Sequence, residues 1–322
     1  MADGTHASDA AEADAMLAVE ARGLSYRFRD GGGVSGIDLR VPRGAVYALL
    51  GANGSGKTTT IRMLLGLLRP QGGSLRVLGR TDPARAIAAR HGVGALVEAP
   101  SLYPHLSGRA NLEVTAKLLG VPRPAVDEVL AEVGLDVRDR DRRVRDYSLG
   151  MKQRLGLALA LVGNPELLVL DEPGNGLDPG GMLQLRRTVA ALARDRGLTV
   201  LLSSHLLGEV EQLATHVAII EAGTLRFQGR LDELVPASGG ELEIRSVDPD
   251  VALARLRELA LPASAAGGDA IRIKAARTGA GDEADGELLR RLVAAGVPFH
   301  AFLRRRPTLE SRYFDLKAGE GG

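Results

Sequence analysis

The sequence predicts an α/β fold: a mixed, mainly parallel sheet covered by helices on both faces, followed by a small α+β domain. Three observations predict it. Short, wholly apolar runs recur up to about residue 235, as strands buried on both faces do. Longer segments with helical spacing lie between them, and strands alternating with helices imply a parallel sheet. Beyond a Pro-, Ser- and Gly-bearing stretch at 235–241 the pattern changes to short alternating runs with a helix among them.

Residues 1–17, MADGTHASDAAEADAML, are acidic and Ala-rich. They lack the basic start and apolar stretch of a secretory signal and are read as a disordered tail. The larger domain spans 18–235. Its first buried strand is AVYALL (45–50). A glycine-rich turn follows, then a helix with Ile61, Leu64, Leu65 and Leu68 at i, i+3, i+4 and i+7. LLVL (167–170), TVLLSS (199–204) and VAII (217–220) supply further strands. After the 235–241 linker, residues 240–322 form a small accessory domain. Its strands are ELEIRSV, AIRIKAA and FHAFLRR, and its helix is DGELLRRLVAAGV. The stretch 267–287 carries loop-like glycines and acids and is read as exposed.

Composition narrows the function. The 322 residues allow one large domain and a small one. Aromatics are 3% with no Trp, which argues against a stacking platform for single-stranded nucleic acid. Lys+Arg is 41 against Asp+Glu 40, so no global basic field draws the chain onto DNA or anionic lipid. With no cysteine, disulfides, thiolate zinc sites and Cys nucleophiles are excluded. No window approaches the roughly 18 apolar residues of a membrane helix, so any membrane role requires docking on an embedded partner.

Gly51-Ala52-Asn53-Gly54-Ser55-Gly56-Lys57-Thr58 satisfies G-x-x-x-x-G-K-[ST]. Its glycines let the backbone turn successive N–H groups inward as an anion nest. The helix starting near Lys57 adds its N-terminal dipole. Lys57 is expected to reach the β- and γ-phosphates and Thr58 to ligate Mg2+ through its hydroxyl; Thr59 completes the cradle. The alternative is a plain strand-to-helix turn. ELLVLDEP (166–173) is an apolar strand ending in two carboxylates, at the edge where α/β sheets bind ligands. Asp171 is expected to hold the Mg2+ and Glu172 to act as general base on the attacking water. In isolation they would read as two exposed acids.

With these motifs in order over 18–235, the chain resembles the ATP-binding subunit of an ATP-binding cassette (ABC) transporter. DYSLGMKQRLGLALAL (146–161) resembles the family signature: Ser148 and Gly150 match, while Leu149 and Met151 depart. GNGLDP (174–179) resembles the D-loop, with Asp178 at its acidic position, and LLSSHLL (201–207) places His205 at the switch histidine. Phe28, 23 positions before Gly51, matches the aromatic that stacks on adenine. Tyr26 is the fallback, read as pointing to the opposite strand face. Taken alone, Ser148 is a helix N-cap ahead of a buried stripe of Met151, Leu155, Ala158, Leu159 and Val162. His205 alone would be an ordinary strand-end histidine, and Phe28 alone a core residue.

The resemblance implies a P-loop NTPase of ABC type, with a helical subdomain, that binds ATP and Mg2+ and hydrolyses ATP using Lys57, Glu172 and His205. It implies pairing with a second copy or a related chain, the signature of one covering ATP on the cradle of the other. Asp178 would then tie the two sites together. It also implies a separate transmembrane permease subunit and a peripheral place on the cytoplasmic face of the membrane.

The family's Q-loop glutamine is replaced by Glu98 in VGALVEAPSLYPHLSGRANLE (93–113). A carboxylate about 5 Å from a phosphate charge costs ~3 kcal/mol at an effective dielectric of ~20. Glu98 is therefore expected to approach the metal or to swing away toward a partner. This segment and YSLGMKQRLGLA resemble the branch of bacitracin-resistance and lantibiotic-immunity exporters, which itself tends to carry Glu here. Leu102, Tyr103 and Leu106 would either meet a short helix of the membrane subunit or pack internally. DVRDRDRRVRD (136–146) and the basic part of LRRRPTLESRYFDL (303–316) read as solvated. The expected function is ATP-powered export of a drug, antibiotic or similar compound. The alternative, a soluble ABC-type ATPase acting on ribosome or nucleic acid, is disfavoured by the single cassette and the balanced charge.

Overall fold

The computed structural model describes residues 16–82, 92–98, 100–236, 241–273, 282–305 and 307–318. The expected N-terminal tail, most of the linker's centre and part of the 267–287 loop lie outside these residues. The chain divides into two compact units between Leu231 and Asp232.

The first unit runs β1 (Leu17–Arg27), β2 (Gly33–Pro42), β3 (Val46–Leu50), α1 (Lys57–Leu64), β4 (Gly72–Val77), β5 (Val93–Leu96) and α2 (Gly108–Leu118). It continues α3 (Pro124–Glu132), α4 (Val137–Arg140), α5 (Leu149–Leu161), β6 (Leu167–Leu170), α6 (Pro179–Arg196), β7 (Thr199–Ser204), α7 (Leu207–Glu211), β8 (His216–Glu221) and β9 (Thr224–Arg230). Six strands form the main sheet in the order β5-β6-β7-β3-β8-β9. Every neighbouring pair is parallel except β8–β9. The wholly apolar runs β3 and β6 are buried at every residue, as a sheet covered on both faces requires. Tyr47 in β3 is the polar exception. Its hydroxyl donates to Gln228 at 3.2 Å, and burial pushes the phenol's pKa upward. A separate antiparallel sheet, β2-β1-β4, shares the core through Ile37, Leu39 and Leu75. Between β5 and β6 the chain makes a helical subdomain in which α2, α3 and α5 pack together.

The structure corrects three local expectations. The first helix stops at Leu64, not Leu68, because Gly66 adopts φ 65° and takes a helix C-terminal turn. Ile61, Leu64 and Leu65 are buried as expected, Leu67 is exposed, and Leu68 still packs on the core from the turn. Helix α5 does not bury the expected stripe alone: Met151 and Leu159 are half-buried, while Gly156, Leu157, Ala160 and Leu161 are covered along with Leu155 and Ala158. The 136–146 segment is not wholly solvated. Arg140 is buried, donates to Leu135 O at 3.0 Å and ties α4 to α3 by donating to Asp127 O at 3.4 Å.

After α8 (Leu231–Leu234), the second unit runs β10 (Glu241–Arg245), α9 (Pro249–Glu258), β11 (Ala263–Gly267), β12 (Ala270–Ile273), α10 (Asp282–Ala294), β13 (Ala301–Arg305) and α11 (Leu309–Ala318). Its sheet order, β11-β12-β10-β13, is antiparallel throughout, the split β-α-β-β-α-β arrangement. Leu242, Ile244, Ile271 and Ile273 meet Leu256 and Leu292 in a core of its own. Among the described residues no helix is long and apolar enough to cross a membrane.

Candidate functional site

Strand β3 lies in the middle of the main sheet, between β7 and β8, and its C-terminal end opens into residues 51–56. Gly51 and Gly56 are needed for different reasons. A Cβ on Gly51 would lie 2.3 Å from Ile220 O, and Gly56 holds φ 112° with Val34 Cγ1 2.4 Å from its missing Cβ. Helix α1 begins directly after Gly56 with no side-chain cap and no acid in its first turn. Its first amides have no intrahelical partner, and they form an anion site together with the dipole. Ser55 Oγ is buried without a hydrogen-bond partner, which marks a polar group oriented for something other than the protein. Asn53 and Gly54 are exposed at the tip, and Thr59 is half-buried in the first turn of α1.

Five of the expected residues come together around this loop. Lys57 is 5% exposed. Its Nζ donates to Gly51 O at 2.8 Å and Ala52 O at 3.2 Å and pairs with Glu172 Oε1 at 3.2 Å. The other oxygen of Glu172 meets His205 Nδ1 at 2.8 Å. Thr58 Oγ1 donates to Asp171 Oδ1 at 3.2 Å. The strand order explains the meeting: β6 carries Asp171 and Glu172, β7 carries His205 just beyond its end, and β3 leads into Lys57. Glu172 has φ 48°, a conformation that costs a non-glycine residue about 1–3 kcal/mol and tends to gather at functional sites. One member of the cluster went unread in the sequence. Ser203, fully buried, donates to Asp171 Oδ1 at 2.6 Å and accepts from Glu172 N at 2.8 Å. The available signal was a hydroxyl directly after the buried aliphatic run Val200-Leu201-Leu202, two positions before His205.

The donor set suits Mg2+. A hydroxyl and a buried carboxylate in contact are hard oxygen ligands, and that ion is commonly held by one carboxylate plus substrate phosphates and water. Among the described residues no cluster of three or more His, Cys, Asp or Glu side chains offers a self-contained metal cage. Glu98 lies elsewhere in its contacts. At φ 61° its carboxylate, 65% exposed, is paired with Arg62 in the last turn of α1.

The remaining expected residues are held in other contacts. Ser148 caps α5, accepting from Met151 N at 3.3 Å, with Gly150 in the first turn. Asp178 caps α6, accepting from Gly181 N at 2.6 Å. Just before the signature, Tyr147 donates to Asp139 O at 2.6 Å, and burial raises its phenol pKa. Phe28 is half-buried beyond the end of β1. Tyr26 does not point away from it: the two rings meet edge to face at 4.8 Å, because residues two apart on a strand share a face. Leu102 and Leu106 are half-buried, and Tyr103 is 51% exposed. Asn111 pins this loop by accepting from Tyr103 N at 2.8 Å and donating to Tyr103 O at 3.1 Å.

Comparison with known proteins agrees with this geometry. The ABC transporter family matches residues 34–175. The bacitracin transport ATP-binding protein BcrA of Bacillus licheniformis is 42% identical over 70% of this chain and 74% of its own length. The daunorubicin resistance ATP-binding protein DrrA3 of Streptomyces coeruleorubidus is 36% identical over 94% of this chain and 96% of its own. Among solved structures, cbiO1 from Clostridium perfringens, part of the ABC transporter complex cbiONQ, matches with a TM-score of 0.62 and 28% identity. That match covers 68% of this chain and 90% of cbiO1. With its glycine-rich loop, Asp171, Glu172 and His205 in one cluster, the chain belongs to the ABC transporter family as an ATP-binding ATPase subunit.

Proposed function

We propose that this ATPase powers export of a drug, antibiotic or similar compound through a separate transmembrane subunit, docked at the cytoplasmic face of the membrane. The observation that carries it is the joint cluster of Lys57, Thr58, Asp171, Glu172 and His205 at the end of β3, in a chain whose relatives include bacitracin transport and daunorubicin resistance ATP-binding proteins. Gly51, Asn53, Gly54, Ser55, Gly56 and Thr59 cradle the phosphates through main-chain amides and hydroxyls. Lys57 exchanges its present partners for the β- and γ-phosphates. Thr58 and Asp171 hold Mg2+, which when bound neutralises phosphate charge.

Released from Lys57, Glu172 orients and deprotonates the attacking water, and His205 keeps its second oxygen in place and faces the γ-phosphate. Phe28 stacks on adenine, with Tyr26 supporting its edge. Ser148 and Gly150 open a helix whose N-terminus meets the nucleotide of a second copy or a related chain, and Asp178 braces that junction. Glu98 reaches the metal only by leaving Arg62, so it is assigned a role in the closed, permease-engaged state. Leu102, Tyr103 and Leu106 form the apolar contact to the permease. The unit at 240–322 is an accessory domain.

Phosphate release by the purified chain, abolished in Glu172→Gln, is the first test. Size-exclusion of Glu172→Gln with Mg-ATP should give a dimer. Affinity purification from membranes should recover a polytopic protein; recovery of ribosomes or DNA would overturn the export reading.

A further inference from the structure

We propose that Ser203 is the positioning residue that fixes both carboxylates of the hydrolysis site, a role that rests on the ATPase reading above. Strand β7 lies between β3, which delivers the phosphate loop, and β6, which delivers the carboxylates. The register pairs Leu202 with Leu170 on one side and Ser203 with Leu49 on the other. Ser203 therefore stands beside Asp171, one step past the last paired residue of β6. The residues before it, Val200, Leu201 and Leu202, are aliphatic and buried. A hydroxyl at full burial in such a place costs free energy unless both its donor and its acceptor are used, and here both are.

The donor goes to Asp171 Oδ1 at 2.6 Å, the length of a charge-assisted bond. Thr58 donates to the same oxygen at 3.2 Å. Two hydroxyls from two different elements thus hold one carboxylate oxygen, and Asp171 cannot rotate without breaking both bonds. The acceptor takes the main-chain N–H of Glu172 at 2.8 Å. That residue sits at φ 48°, so the bond satisfies the amide and retains the strained turn that aims the Glu172 side chain at Lys57 and His205. His205 follows Ser203 by two positions, just beyond the end of the same strand. One hydroxyl thereby sets the metal-binding carboxylate directly, the general base through its backbone, and the spacing of both to the switch histidine.

The test compares wild type, Ser203→Ala and Ser203→Thr in the full chain. Three quantities are measured: kcat and KM for ATP, nucleotide affinity in EDTA, and Mn2+ affinity of the ADP complex by electron paramagnetic resonance, which needs no turnover. Losing a bond to a charged group predicts that Ser203→Ala weakens Mn2+ binding by about tenfold. It also predicts a kcat lower by about tenfold or more with KM nearly constant, while nucleotide affinity in EDTA stays within about twofold. Ser203→Thr restores the hydroxyl and most of both losses; the alanine results decide the matter if the added methyl is not accommodated. The proposal is overturned if Ser203→Ala keeps Mn2+ affinity and kcat within about twofold of wild type. It is equally overturned if nucleotide affinity in EDTA falls in parallel with kcat, since the hydroxyl would then serve only the fold. A wild-type protein that binds Mn2+ and nucleotide yet releases no phosphate would refute the ATPase reading instead, and the Mn2+ measurement would still judge Ser203.

Discussion

Replacing Glu172 by Gln should do more than stop hydrolysis: it should tighten ATP binding. In the structure Lys57 Nζ donates to Gly51 O and Ala52 O at 2.8 and 3.2 Å and forms an ion pair with Glu172 Oε1 at 3.2 Å, outside hydrogen-bond geometry. Phosphate oxygens must take Lys57 over from Glu172. At 3.2 Å the gross attraction is ~5 kcal/mol at an effective dielectric of ~20. The Glu172 side chain is 18% exposed and His205 holds its other oxygen, so only part of this survives as a net cost. About 1.4 kcal/mol of surviving cost is tenfold in Kd.

Removing the carboxylate charge also relieves repulsion with the γ-phosphate, so the two effects must be separated. A double-mutant cycle does this. ATP affinity is measured in EDTA, where nothing is hydrolysed, for wild type, Glu172→Gln, Lys57→Met and the double variant, with nucleotide titrated to millimolar levels. The expected result is about tenfold tighter binding on Glu172→Gln when Lys57 is present and a clearly smaller gain when it is absent. Equal gains in both backgrounds would mean that the ion pair does not oppose nucleotide; no gain in either would refute the exchange of partners altogether.

Three further outcomes follow from the packing. Gly56→Ala forces a Cβ into the φ 112° conformation and to 2.4 Å from Val34 Cγ1; nucleotide affinity should fall more than tenfold and stability by about 1–3 kcal/mol, read by equilibrium binding and urea melts. Leu256→Ala empties part of the second unit's core and should cost that unit about 2–5 kcal/mol, seen as an earlier unfolding transition. Asp127 is held below the usual carboxylate range chiefly by its hydrogen bond from Arg109, with Arg140 adding to the effect. A depressed folded pKa contributes stability that is present above the unfolded value, near pH 4, and is lost as pH falls through the folded one. Asp127→Asn should therefore lower stability above about pH 4 and flatten the acid limb by the same amount, a small one because the exposed pair is screened.

How far the sequence could be read depended on whether a feature was carried by one segment or by two. Strands β3, β6, β7 and β8 were legible because burial on both faces imposes unbroken apolar runs. The phosphate loop was legible because its glycines and Lys57 are contiguous. Strand β11, ASAAG, was not: it has no β-branched residue and is held in place by pairing with β12, a long-range choice that local composition does not report. Arg140 read as solvent-facing because its neighbours are charged, yet its burial is decided by where α3 passes. The Arg62–Glu98 pair and Ser203 share this character. Each joins residues more than thirty positions apart, and only the sheet order brings them into contact.

The charges at the site argue for the paired state on their own. In the structure Lys57 faces Glu172, with Asp171 held by two neutral hydroxyls, so the loop's lysine is already engaged. A triphosphate adds more negative charge than Lys57 and one divalent cation cancel, and the α1 amides supply only partial charges. Glu98 and its counter-ion Arg62 form a neutral pair and bring no net cation. A second chain can supply further positive potential. Helix α5 is suited to provide it to a second chain: its first turn contains no acid, and Ser148 accepts from Met151 N while leaving other first-turn amides to an anion. A Ser148→Glu variant puts a carboxylate at that helix start. It should leave ATP binding to the isolated chain within about twofold while abolishing ATP-dependent dimerisation of Glu172→Gln, since repulsion across about 4–5 Å costs several kcal/mol in a closed interface. Retained dimerisation would mean that α5 does not face the nucleotide of the partner.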